Sequence, residues 1–327
     1  MASGEDSLIA RYFKPLATDP GAFGLTDDAA VLKSAGEDIV VNTDAIVEGV
    51  HFLPDDPADS IARKALRVNL SDLAAKGAVP AGFVLTLALR DTDEAWLAEF
   101  ARGLGEDVAQ FGCALLGGDT VSTPGPLMIS VTAFGRVPTG KMVRRAGAAA
   151  GDRVVVTGTI GDAALGLAAL RGGAVATALV DQPALRDLLV SRYRVPQPRS
   201  ALAWVVRDHA SAAMDVSDGL AGDLAKLCDV SRVSADIDAA AVPLSAPVMF
   251  LAERGLASIE SILSGGDDYE ILCTVPEERF AAFAADAWQA GVAVTTIGRI
   301  VEGSSGPRFL DAQGGAMALT RLSYSHF

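Results

Sequence analysis

MDVSDGLAGDL, residues 214–224, sets three acids, Asp215, Asp218 and Asp223, beside glycines and small apolar residues. Residues 212–214 read as the end of a short apolar strand. Residues 220–228 read as a helix with Leu220, Leu224, Leu227 and Cys228 on one face. The acids therefore fall where a strand turns into a helix, the place where open α/β folds hold their ligands. Asp218 suits a helix N-cap, its carboxylate accepting first-turn N–H groups. Asp215 is different, because a carboxylate buried at a strand end needs a cation or several donors. Asp223 falls on the helix and reads as a surface residue.

Outward from this stretch, strands and helices alternate along much of the 327-residue chain, which is long enough for two domains. In the first half, strands are expected at 29–32, 38–44, 82–89, 114–116 and 127–137. Helices are expected at 7–13, 59–75 and 94–110. Residues 138–152 carry Pro138, three glycines and the basic run 141–145, the composition of a linker or a functional loop. They divide the chain into an N-terminal domain, 1–138, and a C-terminal domain, 139–327. In the second half, strands are expected at 153–157, 234–237, 271–275 and 292–297, with helices at 162–170, 184–190, 200–209 and 276–290. The fold class is α/β or α+β, with layered sheets and helices.

Composition narrows the function. A net charge of −14 excludes a general nucleic-acid binder, which needs a basic face. No apolar run spans a bilayer, and the N-terminus lacks the basic-then-apolar order of a signal peptide, so a cytoplasmic protein is expected. Cys113, Cys228 and Cys273 are odd in number and sit in apolar runs, which indicates buried thiols. Three histidines do not make a transition-metal centre.

The acids on glycine-containing or apolar stretches are Asp27, Asp28, Asp44, Asp72, Asp119, Asp215 and Asp218, with Thr43, Ser71 and Ser217 beside them. Hard divalent cations prefer such oxygens, so the set suits several Mg²⁺ ions clamping a nucleotide; caps and turns are the alternative use of each single Asp. Gly117-Gly118 and the 158–161 run offer backbone N–H groups to an anion, or form ordinary tight turns. GRVPTGKM, residues 135–142, nearly matches a P-loop, but Met142 stands where the Mg²⁺-holding hydroxyl belongs, and no helix follows. Arg144 and Arg145 remain as phosphate ligands or as a solvated basic face. His51, in a glycine-flanked loop, is either a substrate contact or a structural histidine. Ser-Asp and Gly-Gly-Asp recur in each half, with acid-to-acid separations of 47 and 49 residues, which raises an internal duplication.

Taken together in chain order, TDDAAVL (26–32), NTDAIVEGVHFLP (42–54), ADSIARKALRVNLSDLAAKGA (58–78), LGGDT (116–120), RRAGAAAGD (144–152), VTGTIGDAALGL (156–167), MDVSDGL (214–220), SGGDDYEI (264–271) and the terminal YSHF resemble the thiamine-monophosphate kinase family. This is a branch of the aminoimidazole-ribonucleotide synthetase-like superfamily. The resemblance implies a two-domain α/β fold whose N-terminal sheet forms a shared barrel in a homodimer. It implies ATP-dependent phosphorylation of thiamine monophosphate to thiamine diphosphate, assisted by several Mg²⁺ ions and without a dedicated catalytic base. The alternatives are another ATP-dependent enzyme of the superfamily, or a non-catalytic binder of nucleotide or thiamine phosphate.

Carried over by motif, the metal ligands are Asp27, Asn42, Thr43, Asp44, Asp72, Asp119, Asp215 and Asp218; Asn42 stands where a serine is common, its carbonyl offering the oxygen. The ATP contacts are Gly118, Asp119, Arg145 and Ser217. The substrate contacts are His51, Asp267 and Arg321. Arg321 stands where an aromatic residue can cover the thiamine rings, which leaves Tyr324 and Phe327 as ring-stacking candidates. On this resemblance Asp215 faces Asp27 and Asp72 across the domain junction through shared metal, and Asp218 holds a cation of its own.

Overall fold

Strict apolar–polar alternation along a strand buries one face, and the strand over 128–138 follows that rule. In the computed structural model, which describes residues 20–34, 36–91 and 93–323, five strands form one sheet. They are β1 (Ala30–Lys33), β2 (Glu37–Val47), β3 (Val79–Leu89), β4 (Ala114–Ser122) and β5 (Met128–Pro138), in the order β1-β2-β5-β3-β4. Along β5, Ile129, Val131, Ala133 and Val137 alternate into the core. The expected helix at 7–13 and the ring-stacking candidates Tyr324 and Phe327 lie outside the described residues.

Among the described residues two helices serve this sheet, α1 (Ala58–Ala75) and α2 (Glu94–Phe111). The second shows ordinary start and stop chemistry. Asp93 caps the amides of Ala95 and Trp96, and Gly112 closes the helix at φ 62°. α1 is buried along almost its whole length, polar residues included. It is an internal helix lying between the first sheet and the second half of the chain, so every side faces protein. Its polar residues are therefore all partnered. Arg67 takes Asp107 of α2 in a bidentate pair at 2.6 and 2.8 Å, and also donates to Pro196 O at 3.0 Å.

The second sheet has the order β11-β8-β10-β6-β9-β7. Its strands are β6 (Arg153–Thr157), β7 (Ala212–Asp215), β8 (Ser234–Asp238), β9 (Ile271–Val275), β10 (Val294–Val301) and β11 (Gly306–Leu310). Eight helices accompany it: α3 (Asp162–Arg171), α4 (Gly173–Ala178), α5 (Pro183–Arg194), α6 (Ala203–His209), α7 (Leu220–Ser231), α8 (Ala246–Ala252), α9 (Ile259–Leu263) and α10 (Glu277–Gln289). Both faces of the central strands are covered. Val154, Val156, Met214 and Leu272 pack into one core with α7, while Val155, Ala213, Cys273 and Val275 pack into another with α6 and α10. Two-sided burial explains why RVVVT and ILCTV read as unbroken apolar runs. The three cysteines are free and buried, and burial raises their thiol pKa values, to about 11 for Cys113 and about 12 for Cys228 and Cys273.

Two expectations are corrected here, and one edge strand was not anticipated. Gly117–Thr120 is not a turn but continues β4, with Gly118 opposite Leu85 and Asp119 opposite Thr86 on the parallel partner β3. Glycine is needed there because a Cβ on Gly118 would collide with the Leu85 carbonyl. The internal echo does not reflect equivalent positions. Ser71-Asp72 lies inside α1 and Ser217-Asp218 in a loop, while one Gly-Gly-Asp is strand and the other loop. β11 was missed because GPRFL is short and carries a proline, which is tolerated on an edge strand.

Candidate active site

The opening stretch forms one of two interleaved loops. Residues 216–219 connect β7 to α7, and residues 264–270 lead into β9. Asp267 N donates to Ser217 O at 2.8 Å, Tyr269 N to Val216 O at 2.8 Å, and Val216 N to Glu270 O at 2.8 Å. This closeness demands glycine. Gly219 has φ 114°, and a Cβ there would stand 2.7 Å from the Ser264 backbone; a Cβ on Gly266 would strike the Ser217 carbonyl. Asp267 and Tyr269 both take positive φ, 71° and 50°. Both are held by these backbone bonds.

Asp223 corrects the sequence reading. It is wholly buried rather than on the helix surface, and its Oδ2 accepts from the amides of Ser217 and Asp218, each at 3.0 Å. Lys226 joins Asp218 at 2.6 Å and Asp223 at 3.0 Å. Lys226 thereby places an ammonium beside Asp218. Asp268, next to the substrate candidate Asp267, accepts from Gly161 N at 2.8 Å and Ala163 N at 3.3 Å. The 158–161 run therefore opens α3 as expected, but a carboxylate of the chain occupies these amides.

Around these loops lies a cavity of about 690 Å³, reached from both sheets. β2 and α1 contribute Asp44 and Asp72, β7 contributes Asp215, and the 26–29 segment contributes Asp27 and Asp28. Asn69 fixes the first pair: its Oδ1 accepts from Asp44 N and from Asn42 Nδ2, both at 3.1 Å. Asn42 Nδ2 also donates to Asp72 Oδ2 at 2.8 Å, while Asn42 Oδ1 is buried with no hydrogen-bond partner.

Three of these carboxyls hold protons above the usual range. Asp72 is raised well above 3.8 by burial, then by Asp215 and Asp44, against Lys76 and the Asn42 hydrogen bond. Asp215 is pushed up to about 7, first by burial and then by Asp223 and Asp44, against a hydrogen bond from Ser71 and the charge of Lys76. Asp44 remains accessible from the cavity, and the protein around it desolvates its carboxyl. That desolvation raises it, a hydrogen bond with Asp72 opposes the rise, and Asp218 adds to it. Ionisation of one of these carboxyls opposes that of its neighbours, and an added cation would ease that opposition.

Seven aspartates line the cavity against four basic residues, Arg145, Arg171, Lys226 and Arg321. Asp27 is held by Lys76 Nζ at 2.9 Å and by Arg145 N at 2.8 Å; the Arg145 guanidinium pairs with Asp28. His51 lines the cavity, with its Nδ1 accepting from Val47 N at 3.0 Å and its carbonyl accepting from Lys64 Nζ at 2.8 Å. Lys64 also takes Asp267 Oδ2 at 2.7 Å and lies 4.0 Å over the Tyr193 ring. Arg321 reaches the cavity through the C-terminal tail, which Glu260 of α9 ties down by accepting from Arg321 N at 3.1 Å and Thr320 Oγ1 at 2.6 Å.

Four sequence candidates do not line the cavity in this chain; the first, Asn42, is buried against Asn69 and Asp72. The period-2 alternation of β2 turns Thr43 away from Asn42 and Asp44, and its hydroxyl donates to Val131 O on β5 at 3.0 Å. Gly118 and Asp119 lie on β4, where every residue is exposed. Conversely, Lys64, Asn69, Lys76, Asp223 and Lys226 were not singled out as site residues. A signal existed for two of them: Lys76 is four residues beyond Asp72 and Lys226 three beyond Asp223, spacings that share a helix face. As donors, the unpartnered Asn42 oxygen and the proton-retaining carboxyls fit a hard divalent ion. Among the described residues, no three acidic, His or Cys side chains already converge on one point as a finished metal site.

Comparison with known proteins agrees with this geometry. The models of the AIR synthase related protein N-terminal and C-terminal domains match residues 26–137 and 149–310. The thiamine-monophosphate kinase of Caulobacter vibrioides is 45% identical, over 97% of this chain and 89% of its own length. That of Escherichia coli K12 is 41% identical, over 100% and 99%. Among solved structures, AaThiL complexed with AMPPCP and TMP superposes with a TM-score of 0.81 at 30% identity, covering 94% of this chain and 97% of that one. Thiamine-monophosphate kinase from Stenotrophomonas maltophilia K279a gives 0.79 at 39% identity, covering 97% and 99%. With matches of this length carried by both halves, the chain belongs to the thiamine-monophosphate kinase family of AIR synthase related proteins.

Proposed function

We propose that this chain transfers the γ-phosphoryl group of ATP to the phosphate of thiamine monophosphate, giving thiamine diphosphate and ADP. One observation carries the reading: a single cavity joins the carboxyl trio Asp44, Asp72 and Asp215 to the His51–Asp267–Tyr193 wall. Full-length likeness to a relative whose structure holds AMPPCP and TMP supports it. The acceptor phosphate is already anionic at neutral pH, so it needs no strong general base. In-line transfer then depends on placing two anions against each other.

The wall is itself net acidic, so cations are required. Asp44, Asp72 and Asp215 would hold Mg²⁺, with Asn42 Oδ1 as a neutral oxygen. When bound, the metal neutralises phosphate charge. The chain's own residues do the rest. Arg145 and Ser217 face the nucleotide, Asp223 fixes the Ser217–Asp218 backbone, and Lys64 holds His51 and Asp267 on the substrate side. Gly118 and Asp119 act through a homodimer: β4 exposes Leu115, Leu116 and Val121 along an open sheet edge, which a second copy would cover. Among the described residues no helix is long and apolar enough to cross a membrane, and we place the enzyme in the cytoplasm with its substrates.

The test is chromatographic. Incubation with ATP, Mg²⁺ and thiamine monophosphate yields thiamine diphosphate, while free thiamine yields none. ADP formation on a different phosphorylated acceptor alone would reassign the chain within the superfamily, and nucleotide binding without product would make it a binding protein.

A further inference from the structure

Lys76 follows the last turn of α1, and its side chain is wholly buried. Nζ stands 2.9 Å from Asp27 Oδ1 and 2.6 Å from Asp28 Oδ2, and donates to Ala213 O on β7 at 2.9 Å. Its charge is also felt by Asp72 and Asp215. One ammonium thus stands among acids from three segments, the 27–28 loop, α1 and β7. Burying an ammonium is costly unless carboxylates compensate it, and an apolar side chain of similar length would fill the space.

We propose that Lys76 is a resident cation of the active site, holding the position between Asp27, Asp28 and β7 that a divalent ion would otherwise take. The proposal rests on the metal-dependent phosphoryl-transfer reading above. Both oxygens of Asp27 are already engaged, Oδ1 by Lys76 and by Asp28 N at 2.9 Å, Oδ2 by Arg145 N. Lys226, a third exposed, also pairs with Asp218 and Asp223. The acids therefore divide into two groups. Asp27, Asp28, Asp218 and Asp223 are paired with lysines, and Asp44, Asp72 and Asp215 are left for Mg²⁺. Asp27 is then a ligand of the ammonium rather than of a metal.

Mn²⁺ counting on the full chain tests this, using equilibrium dialysis with AMPPCP present and paramagnetic resonance of the free ion as readout. Lys76→Met is expected to bind about one more Mn²⁺ per chain than wild type, and its metal-free melting temperature is expected to fall and recover on adding Mn²⁺. Lys76→Arg, which keeps the charge, is expected to gain no ion. Asp27→Asn retains the Lys76–Asp28 pair and keeps the chain folded if Lys76→Met does not; its Mn²⁺ count is expected to equal wild type. An unchanged count in folded Lys76→Met, or a count lowered by one in Asp27→Asn, would overturn the proposal. Wild type that binds no Mn²⁺ at all would instead remove the metal-dependent reading on which it rests.

Discussion

Asp72 on α1 and Asp215 at the end of β7 reach one cavity from the two halves of the chain, and the charge of Asp215 raises the pKa of Asp72. Asp215 itself titrates at about 7 in the folded chain against 3.8 ordinarily. The sign follows from the raised value. Its protonated form is favoured by folding, so stability is full below the ordinary value and is lost as pH rises towards 7. Metal-free Asp215→Asn is therefore expected to match wild type near pH 4 and to exceed it at pH 8, by at most about 4 kcal/mol. Mg²⁺ should narrow the gap at pH 8. Chemical denaturation at both pH values checks this, and a gap that does not change with pH refutes it.

The same two residues are expected to matter far more for turnover than for folding. Asp72→Asn and Asp215→Asn each keep the shape but remove a carboxyl that can ionise onto a cation. Turnover should fall by about 10²-fold or more, as when a charge-stabilising group is lost, while the melting temperature holds or rises. ADP release at the wild-type rate from either purified variant contradicts the assignment.

Much of this was legible because it is local. Acids on short-range motifs such as MDVSDGL and NLSDL are visible one at a time, as are the strand at 127–137 and the helix at 94–110. What was not legible depends on contacts distant in sequence. Asp223 looked like a surface residue because a helix pattern says nothing about the Ser217 and Asp218 amides folding back onto it. Gly117-Gly118 looked like a turn because glycine's freedom is visible in sequence, whereas the Leu85 carbonyl that excludes a side chain is not. Lys64 and Lys76 drew no reading in the sequence, because their burial depends on the second half of the chain.

Asp223 makes a sharper test than its position suggests. Asp223→Ala strands Lys226 with half its partners and frees the Ser217 and Asp218 amides. Breaking a buried, paired charge typically costs about 3–5 kcal/mol. Asp223→Asn keeps one acceptor and should fold better while still loosening the loop. The expected signature in Asp223→Asn is a raised KM for ATP with a smaller change in KM for thiamine monophosphate. Equal changes in both would mean that Asp223 supports the fold alone.

Lys64 predicts the opposite pattern. Its ammonium ties the His51 carbonyl to Asp267 beneath the Tyr193 ring, all on the side assigned to the acceptor. Lys64→Met should raise KM for thiamine monophosphate about tenfold or more, with KM for ATP nearly unchanged, because misplacing a positioning group weakens only what it positions. Steady-state kinetics with each substrate varied in turn decides it, and Lys64→Arg should recover part of the loss.

Asp119 decides whether each site is built from one chain or two. It stands on the exposed strand β4, away from the cavity that holds Asp72 of the same chain. If a second copy presents Asp119 to that cavity, Asp72→Asn and Asp119→Asn lie on different chains of one site. Each variant alone is then inactive. A mixed dimer holds one site carrying both substitutions and one site carrying neither. Random mixing after reversible dissociation should recover about a quarter of wild-type activity, since half the dimers are mixed and each has one intact site. No recovery, in a mixture shown by mass spectrometry to have exchanged subunits, would place Asp119 and Asp72 in the same chain's site or leave Asp119 outside catalysis.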